Sequence, residues 1–202
     1  MTIVEFAIVR QRAIPVIRAA DPEKAYVLCE RLVAAGIDVI ELTATIPRWD
    51  DTLAAVSRDL PHAMIGMGTV VSADAAEKAC AAGARFLVSP FPADEARAVA
   101  DREGVLFIGG GCTPAEIAEA SSHGLCKLFP AHLGGLGYLG TLHAILPEAR
   151  IMPTGGIRLN EVSSWLRAGA TAVGVGGDLY GAPDLDAAIA ELARQVSEGA
   201  PA

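Results

Sequence analysis

The chain has 202 residues and a formal net charge of −8, with 24 Asp and Glu against 16 Lys and Arg. That balance, with no basic tract, argues against a nucleic-acid surface. At 52% hydrophobic but 5% aromatic, the core is to be built from Ala, Val, Ile and Leu, in a size that one domain can bury. The 21 glycines and 12 prolines are spread between apolar runs instead of clustering, which is the punctuation of an ordered α/β protein. Cys29, Cys80, Cys112 and Cys126 have no paired spacing, so neither a zinc pattern nor a dithiol motif is expected. A reducing cytoplasm fits that usage. The opening MTIVEFAIVRQR is too short and interrupted for a signal peptide, and no apolar run reaches membrane-spanning length.

In chain order, residues 1–12 form a short amphipathic helix, and Ala13 to Arg18 reads as the first strand. Asp21-Pro22 is an N-cap with proline at the first helical position, and that helix stops at Gly36. Val39 to Thr43, Met64 to Thr69, Phe86 to Pro90 and Leu106 to Gly110 are the next four strands. Helices from about Asp50 to Asp59, from Ser72 to Gly83, and from about Ala93 to Glu103 lie between them. Thr113-Pro114 opens a helix that ends near Gly124, and Cys126 to Phe129 is the sixth strand. A helix from about Tyr138 to Leu146, the strand Ile151 to Thr154, a helix from about Leu159 to Ala168 and the strand Ala172 to Val175 follow. The helix 185–198 closes the chain.

These are eight strand–helix units with no room for a linker. The strands are continuous apolar runs, as strands covered on both faces should be. Repeated βα units imply right-handed crossovers and a parallel sheet. Eight even units favour a (β/α)₈ TIM barrel with a short N-terminal helix, residues 1–202 forming a single domain, over an open doubly wound sheet.

In such a barrel the site lies at the carboxyl ends of the strands. Arg18, Glu41, Thr43, Thr69, Ser89, Pro90, Lys127, Thr154 to Gly156 and Gly176 to Asp178 land there. Lys127 is one of only three lysines, and unlike Lys24 and Lys78 it sits inside an apolar strand. Desolvation disfavours a charged ammonium, and enzymes use that effect to keep a lysine amine nucleophilic for Schiff-base chemistry. The bland alternative is a strand-end lysine whose head reaches water. Glu41 is likewise a charge inside an apolar strand, and a closed barrel lets it meet Lys127. As a merely structural pair, the two would contribute little stability. The turns Thr154-Gly155-Gly156 and Gly176-Gly177 follow the last two strands, where backbone N–H groups and a helix N-terminus can cradle phosphate. Asp178 is awkward beside a phosphate and reads as the cap of the helix that follows. His62, His123, His132 and His143 show no metal-ligand spacing, and His132, though it follows Lys127 closely enough to approach the site, reads first as a loop histidine.

Glu41-Leu42-Thr43, Gly66-Met67-Gly68-Thr69-Val70, Ser89-Pro90, Lys127-Leu128-Phe129-Pro130-Ala131, Pro153-Thr154-Gly155-Gly156 and Gly176-Gly177 occur in one order and spacing. Over nearly the whole chain this resembles the bacterial class I aldolases for 2-keto-3-deoxy-6-phosphogluconate and 4-hydroxy-2-oxoglutarate. The Asp178-Leu179-Tyr180 ending and Trp49 after Pro47 look more like the 6-phosphogalactonate branch. The resemblance implies a cofactor-free retro-aldol cleavage of a small keto acid to pyruvate and an aldehyde, with no metal, in a homotrimer. It assigns Schiff-base formation to Lys127 and proton shuttling to Glu41. It also implies that Thr69, Pro90 and Phe129 shape the pyruvate pocket and that Gly155, Gly156, Gly176 and Gly177 hold a distal phosphate.

The chain departs from the gluconate-type pattern in three places. Thr45 stands where that pattern has an arginine, leaving Arg18 or Arg48 to supply the cation. The fifth strand ends Gly109-Gly110-Gly111 instead of Pro-Gly, and Gly177-Asp178 replaces the phosphate-turn serine. These bear on the substrate more than on the reaction. Two other readings stay open on the residues alone. One is a phosphate-binding barrel isomerase or epimerase with Glu41 as base, and the other is a non-catalytic sugar-phosphate-binding barrel.

Overall fold

The computed structural model describes residues 1–199, a parallel β/α chain throughout. Helix α1 (Ile3–Gln11) is capped by the Thr2 hydroxyl, which accepts from the Glu5 N–H, and leads into β1 (Ala13–Ile17). Asp21 and Pro22 start α2 (Pro22–Ala34) as the sequence predicts. Then come β2 (Val39–Thr43), α3 (Trp49–Asp59), β3 (Met64–Gly68), α4 (Ala73–Ala81), β4 (Phe86–Val88) and α5 (Asp94–Glu103). After β5 (Leu106–Ile108) and β6 (Gly110–Gly111), a reciprocal Thr113/Glu116 capping box opens α6 (Pro114–Ser122). The remainder is β7 (Cys126–Leu128), α7 (Gly135–Ile145), β8 (Ile151–Pro153), α8 (Val162–Arg167), β9 (Val173–Val175), α9 (Gly177–Tyr180) and α10 (Leu185–Glu198).

All strand pairs among the described residues are parallel. They form a curled sheet of order β5-β4-β3-β2-β1-β9 and a second of order β6-β7-β8. A bridge from Thr154 to Gly174 joins the β8 side to β9, and Gly109 alone separates β5 from β6.

Period-two alternation sorts the strand residues between two cores. Ile17, Ile40, Leu42, Cys126 and Leu128 face the helices. Ile14, Val39, Phe86, Val88, Ile108 and Met152 point the other way and pack with Ile8 of α1. Helix α1 therefore plugs the amino-terminal end of the strands. Each fully buried side chain of this size contributes roughly 1.5–3 kcal/mol before ordering entropy is subtracted. Above that apolar floor, the same inward face carries Glu41 and Thr43 of β2 and Lys127 of β7.

Four local expectations need correction. The fifth strand does not run unbroken from Leu106 to Gly110: it breaks at Gly109, whose carbonyl accepts from the Lys127 N–H. A side chain at Gly110 would meet the Ser89 and Pro90 backbone, so this crowded crossing tolerates only glycine. The helix expected from Tyr138 begins at Gly135, after a 3₁₀ turn over Ala131–Leu133. The helix expected from Leu159 opens with a 3₁₀ turn, Leu159–Glu161, before α8. The short helix α9 has no counterpart in the sequence reading, and its two leading glycines obscure its start.

Candidate active site

Lys127 and Glu41 meet at the floor of a pocket of about 730 Å³ at the carboxyl ends of the strands. The register of each strand explains why. Glu41 lies opposite Val16 of β1 and Gly66 of β3, and Lys127 opposite Gly110 of β6 and Met152 of β8. The Lys127 Nζ donates to Glu41 Oε1 at 3.3 Å, and both residues are almost wholly buried (4% and 0% exposed). Removing both charges from water costs several kcal/mol per ion, and one mutual contact recovers only part of it. Glu41 Oε2 is buried and has no protein partner, so the carboxylate keeps one acceptor unpaired. The Nζ also stands 5.5 Å from the centroid of the Phe129 ring, which supports the ammonium face-on.

Arg18, Glu41, Thr43, Thr69, Pro90, Lys127, Phe129, Thr154, Gly155, Gly156, Gly176, Gly177 and Asp178 line this one pocket, whereas Ser89, which the sequence also placed at a strand end, does not. Of the two arginines offered as the replacement cation, the structure brings in only Arg18. Arg48 caps α3 in a left-handed conformation, is exposed and is absent from the lining. Thr45 is exposed, and its hydroxyl shares a hydrogen bond with that of Thr43.

The glycine turns are shaped by their neighbours. Gly155 and Gly156 have φ of +97° and +72°, which glycine adopts without steric cost. A side chain at Gly155 would strike the Phe129 ring, and one at Gly156 the His132 ring. His132 therefore packs behind the turn, outside the lining, with its N–H donating to the Gly155 carbonyl. Asp178 does not cap the helix that follows. Its Oδ2 accepts from the Leu159 N–H at 2.7 Å, tying the turn after β9 to the turn after β8, while Asp184 caps α10. A carboxylate beside the glycine turns thus has a structural reason that only the tertiary fold supplies.

The family described as KDPG and KHG aldolase matches residues 4–191. The chain belongs to that family. Its relatives include the 2-dehydro-3-deoxy-phosphogluconate aldolase of Treponema pallidum, 34% identical over 79% of this chain and 78% of that protein. The 2-dehydro-3-deoxy-6-phosphogalactonate aldolase of Escherichia coli is 28% identical over 83% of each chain. Among solved structures, the KDPG aldolase of Legionella pneumophila, with pyruvate captured as a covalent carbinolamine, superposes with a TM-score of 0.82 at 27% identity. That match covers 99% of each chain.

In this aldolase-family chain, the sequence assigned no site role to two lining residues that bear on chemistry. Tyr180 sits at the end of α9 with its hydroxyl 3.4 Å from the Val175 carbonyl. Burial, reinforced by the Glu41 charge, holds that phenol in its neutral form. Arg158 follows the first glycine turn, two residues after Gly156, and reaches the pocket from the cap of a 3₁₀ turn. Only the position of a basic residue just past a Gly-Gly turn pointed to it. Among the described residues, no group of three His, Cys, Asp or Glu is placed to hold a metal.

Proposed function

We propose that this chain is a Schiff-base aldolase. It cleaves a 2-keto-3-deoxy-6-phospho sugar acid to pyruvate and glyceraldehyde 3-phosphate, or 4-hydroxy-2-oxoglutarate to pyruvate and glyoxylate. The observation that carries this reading is the buried Lys127–Glu41 contact at 3.3 Å on the pocket floor. Lys127 first passes a proton to Glu41, its neutral amine attacks the C2 ketone, and the resulting carbinolamine loses water to give a protonated imine. Glu41 supplies a proton to the departing hydroxyl and later removes the proton of the C4 hydroxyl. As the C3–C4 bond breaks, its electron pair moves into the imine and leaves an enamine. The aldehyde departs, the enamine is protonated at C3, and hydrolysis frees pyruvate and the amine. The scheme requires no cofactor.

Thr69, Pro90 and Phe129 enclose the pyruvate half in this reading, and Arg18 supplies a cation where the family arginine is replaced by Thr45. Gly155, Gly156, Gly176 and Gly177 take the distal phosphate through backbone N–H groups. Asp178-Leu179-Tyr180 and Trp49 favour the galactonate-type epimer over the gluconate one. We read the two curled sheets as one closed (β/α)₈ barrel domain, supported by the Thr154–Gly174 bridge and the one-residue gap at Gly109. A homotrimer is the assembly we propose, and exposed apolar side chains such as Phe91 and Leu133 offer material for its contacts. The four cysteines are free thiols, which suits the cytoplasmic location we assign, and no described helix is long and apolar enough to cross a membrane.

Incubation with pyruvate and borohydride, followed by intact mass and peptide mapping, tests the mechanism. A pyruvate-derived increment on Lys127 is expected. Folded protein that forms no adduct would refute the aldolase reading and favour an isomerase or a binding barrel.

A further inference from the structure

The charges lining the pocket are divided by depth. Three cations, Lys127, Arg18 and Arg158, face two carboxylates, Glu41 and Asp178. Lys127 and Glu41 engage each other on the floor, and Asp178 is occupied by the Leu159 N–H. With Asp178 still charged, Arg18 and Arg158 leave the rim lining with two cations against one carboxylate, in a chain whose formal net charge is −8.

Arg158 has a fixed root and a loosely held head. Its N–H donates to Glu161 Oε2 at 2.9 Å, and the next residue, Leu159, is pinned to Asp178. Its side chain, by contrast, is 71% exposed, and its Nε makes only a 3.5 Å contact with the half-exposed Glu161 carboxylate. An exposed pair of that kind exchanges at little cost. A guanidinium presents paired donors that match phosphate oxygens, and the contact strengthens when both groups are charged. Asp178 lies beside the same turns and disfavours a dianion there, so a cation on this rim offsets a repulsion built into the site.

We propose that Arg158 is a specificity-determining residue that leaves Glu161 and closes over the substrate's distal phosphate, so that the enzyme discriminates phosphorylated from unphosphorylated keto acids. This rests on the aldolase reading above, and deepens it by naming the substrate class.

The test compares the intact protein with R158A and R158K on a 2-keto-3-deoxy-6-phospho acid and on its unphosphorylated counterpart. Glycerol 3-phosphate is titrated into each by calorimetry. R158A is expected to lose about tenfold in kcat/KM on the phosphorylated acid, mainly through KM, and about fivefold more there than on the unphosphorylated one. R158K should recover part of the loss, and glycerol 3-phosphate affinity should fall in step. Equal losses on both substrates, unchanged glycerol 3-phosphate affinity in R158A, or no binding by the wild type would each overturn the proposal. The pyruvate–borohydride adduct separates the two readings. An adduct without substrate discrimination refutes the role of Arg158 alone. No adduct refutes the aldolase, and the glycerol 3-phosphate titration then decides Arg158 by itself.

Discussion

The Glu41 carboxylate fills the volume that a side chain at Gly68 would need. Gly66 and Gly68 are the two inward glycines of β3. The ring of Phe86 occupies the space beside the first, and Glu41 the space beside the second. The bare strand is thus what lets a carboxylate lie flat within reach of Lys127.

Gly68→Ala should therefore act on chemistry through Glu41. The added methyl displaces the carboxylate from Nζ, and loss of a positioned acid–base group lowers kcat by about 10²-fold or more. Overpacking costs about 1–3 kcal/mol in stability, which leaves a folded protein. Steady-state kinetics with circular dichroism checks this. A folded variant with wild-type kcat would show that the carboxylate's position is not used.

Thr69, the residue after β3, has φ +63°, a left-handed conformation that a β-branched residue adopts only under strain. The strain aims its side chain into the pocket. Thr69→Gly should relieve about 1–3 kcal/mol of strain and lose about 0.5–1 kcal/mol to glycine's unfolded-state entropy. A net rise in Tm of a few degrees is expected, together with a higher KM for pyruvate-containing substrates. Thr69→Ala should raise KM in the same way while gaining less Tm. If the glycine variant melts below the wild type, the strained backbone is not a cost to the fold.

The Asp178–Leu159 contact predicts a contrast between two substitutions. Asp178→Ala leaves the Leu159 N–H without its acceptor and should cost about 0.5–2 kcal/mol, as loss of a cap does. Asp178→Asn keeps an acceptor oxygen and removes a negative charge beside the glycine turns. It should retain the wild-type Tm and bind a phosphorylated substrate as tightly or more tightly. Thermal melts and KM measurements on the pair decide it, and equal destabilisation by both would make the charge itself the structural element.

Alkaline pH should weaken the fold through its buried thiols. Burial pushes Cys29 and Cys126 up to about 12 from an ordinary value of 9.0. Between those values the unfolded chain releases protons that the folded chain retains. Their contribution is therefore complete below about pH 9 and declines as pH rises toward 12, by roughly 1 kcal/mol per pH unit per thiol. The buried Tyr180 phenol adds in the same direction. Urea midpoints at pH 8 and pH 10.5 should differ accordingly. Replacing both cysteines with alanine should flatten the dependence, and an unchanged slope would place its cause elsewhere.

Much of this molecule is written locally. Asp21-Pro22, Ser72 and Thr113-Pro114 start helices because capping is satisfied within four residues of chain. The apolar strands and their intervening helices dictate a parallel α/β arrangement because covered strands must be apolar on both faces. Lys127 and Glu41 stood out because a charge inside an apolar run is costly wherever the chain then goes. Tertiary structure alone decided what those charges meet. Lys127 and Glu41 are 86 residues apart, and the register of β2 and β7 brings their side chains to 3.3 Å. It also decided that Arg18 enters the pocket and Arg48 does not, that Asp178 serves Leu159 and not its own helix, and that the strand through Gly109 breaks. Caps and apolar periods are satisfied by neighbours in the chain. A carboxylate's partner, or a glycine's crowding, is set by whatever distant segment packing brings against it.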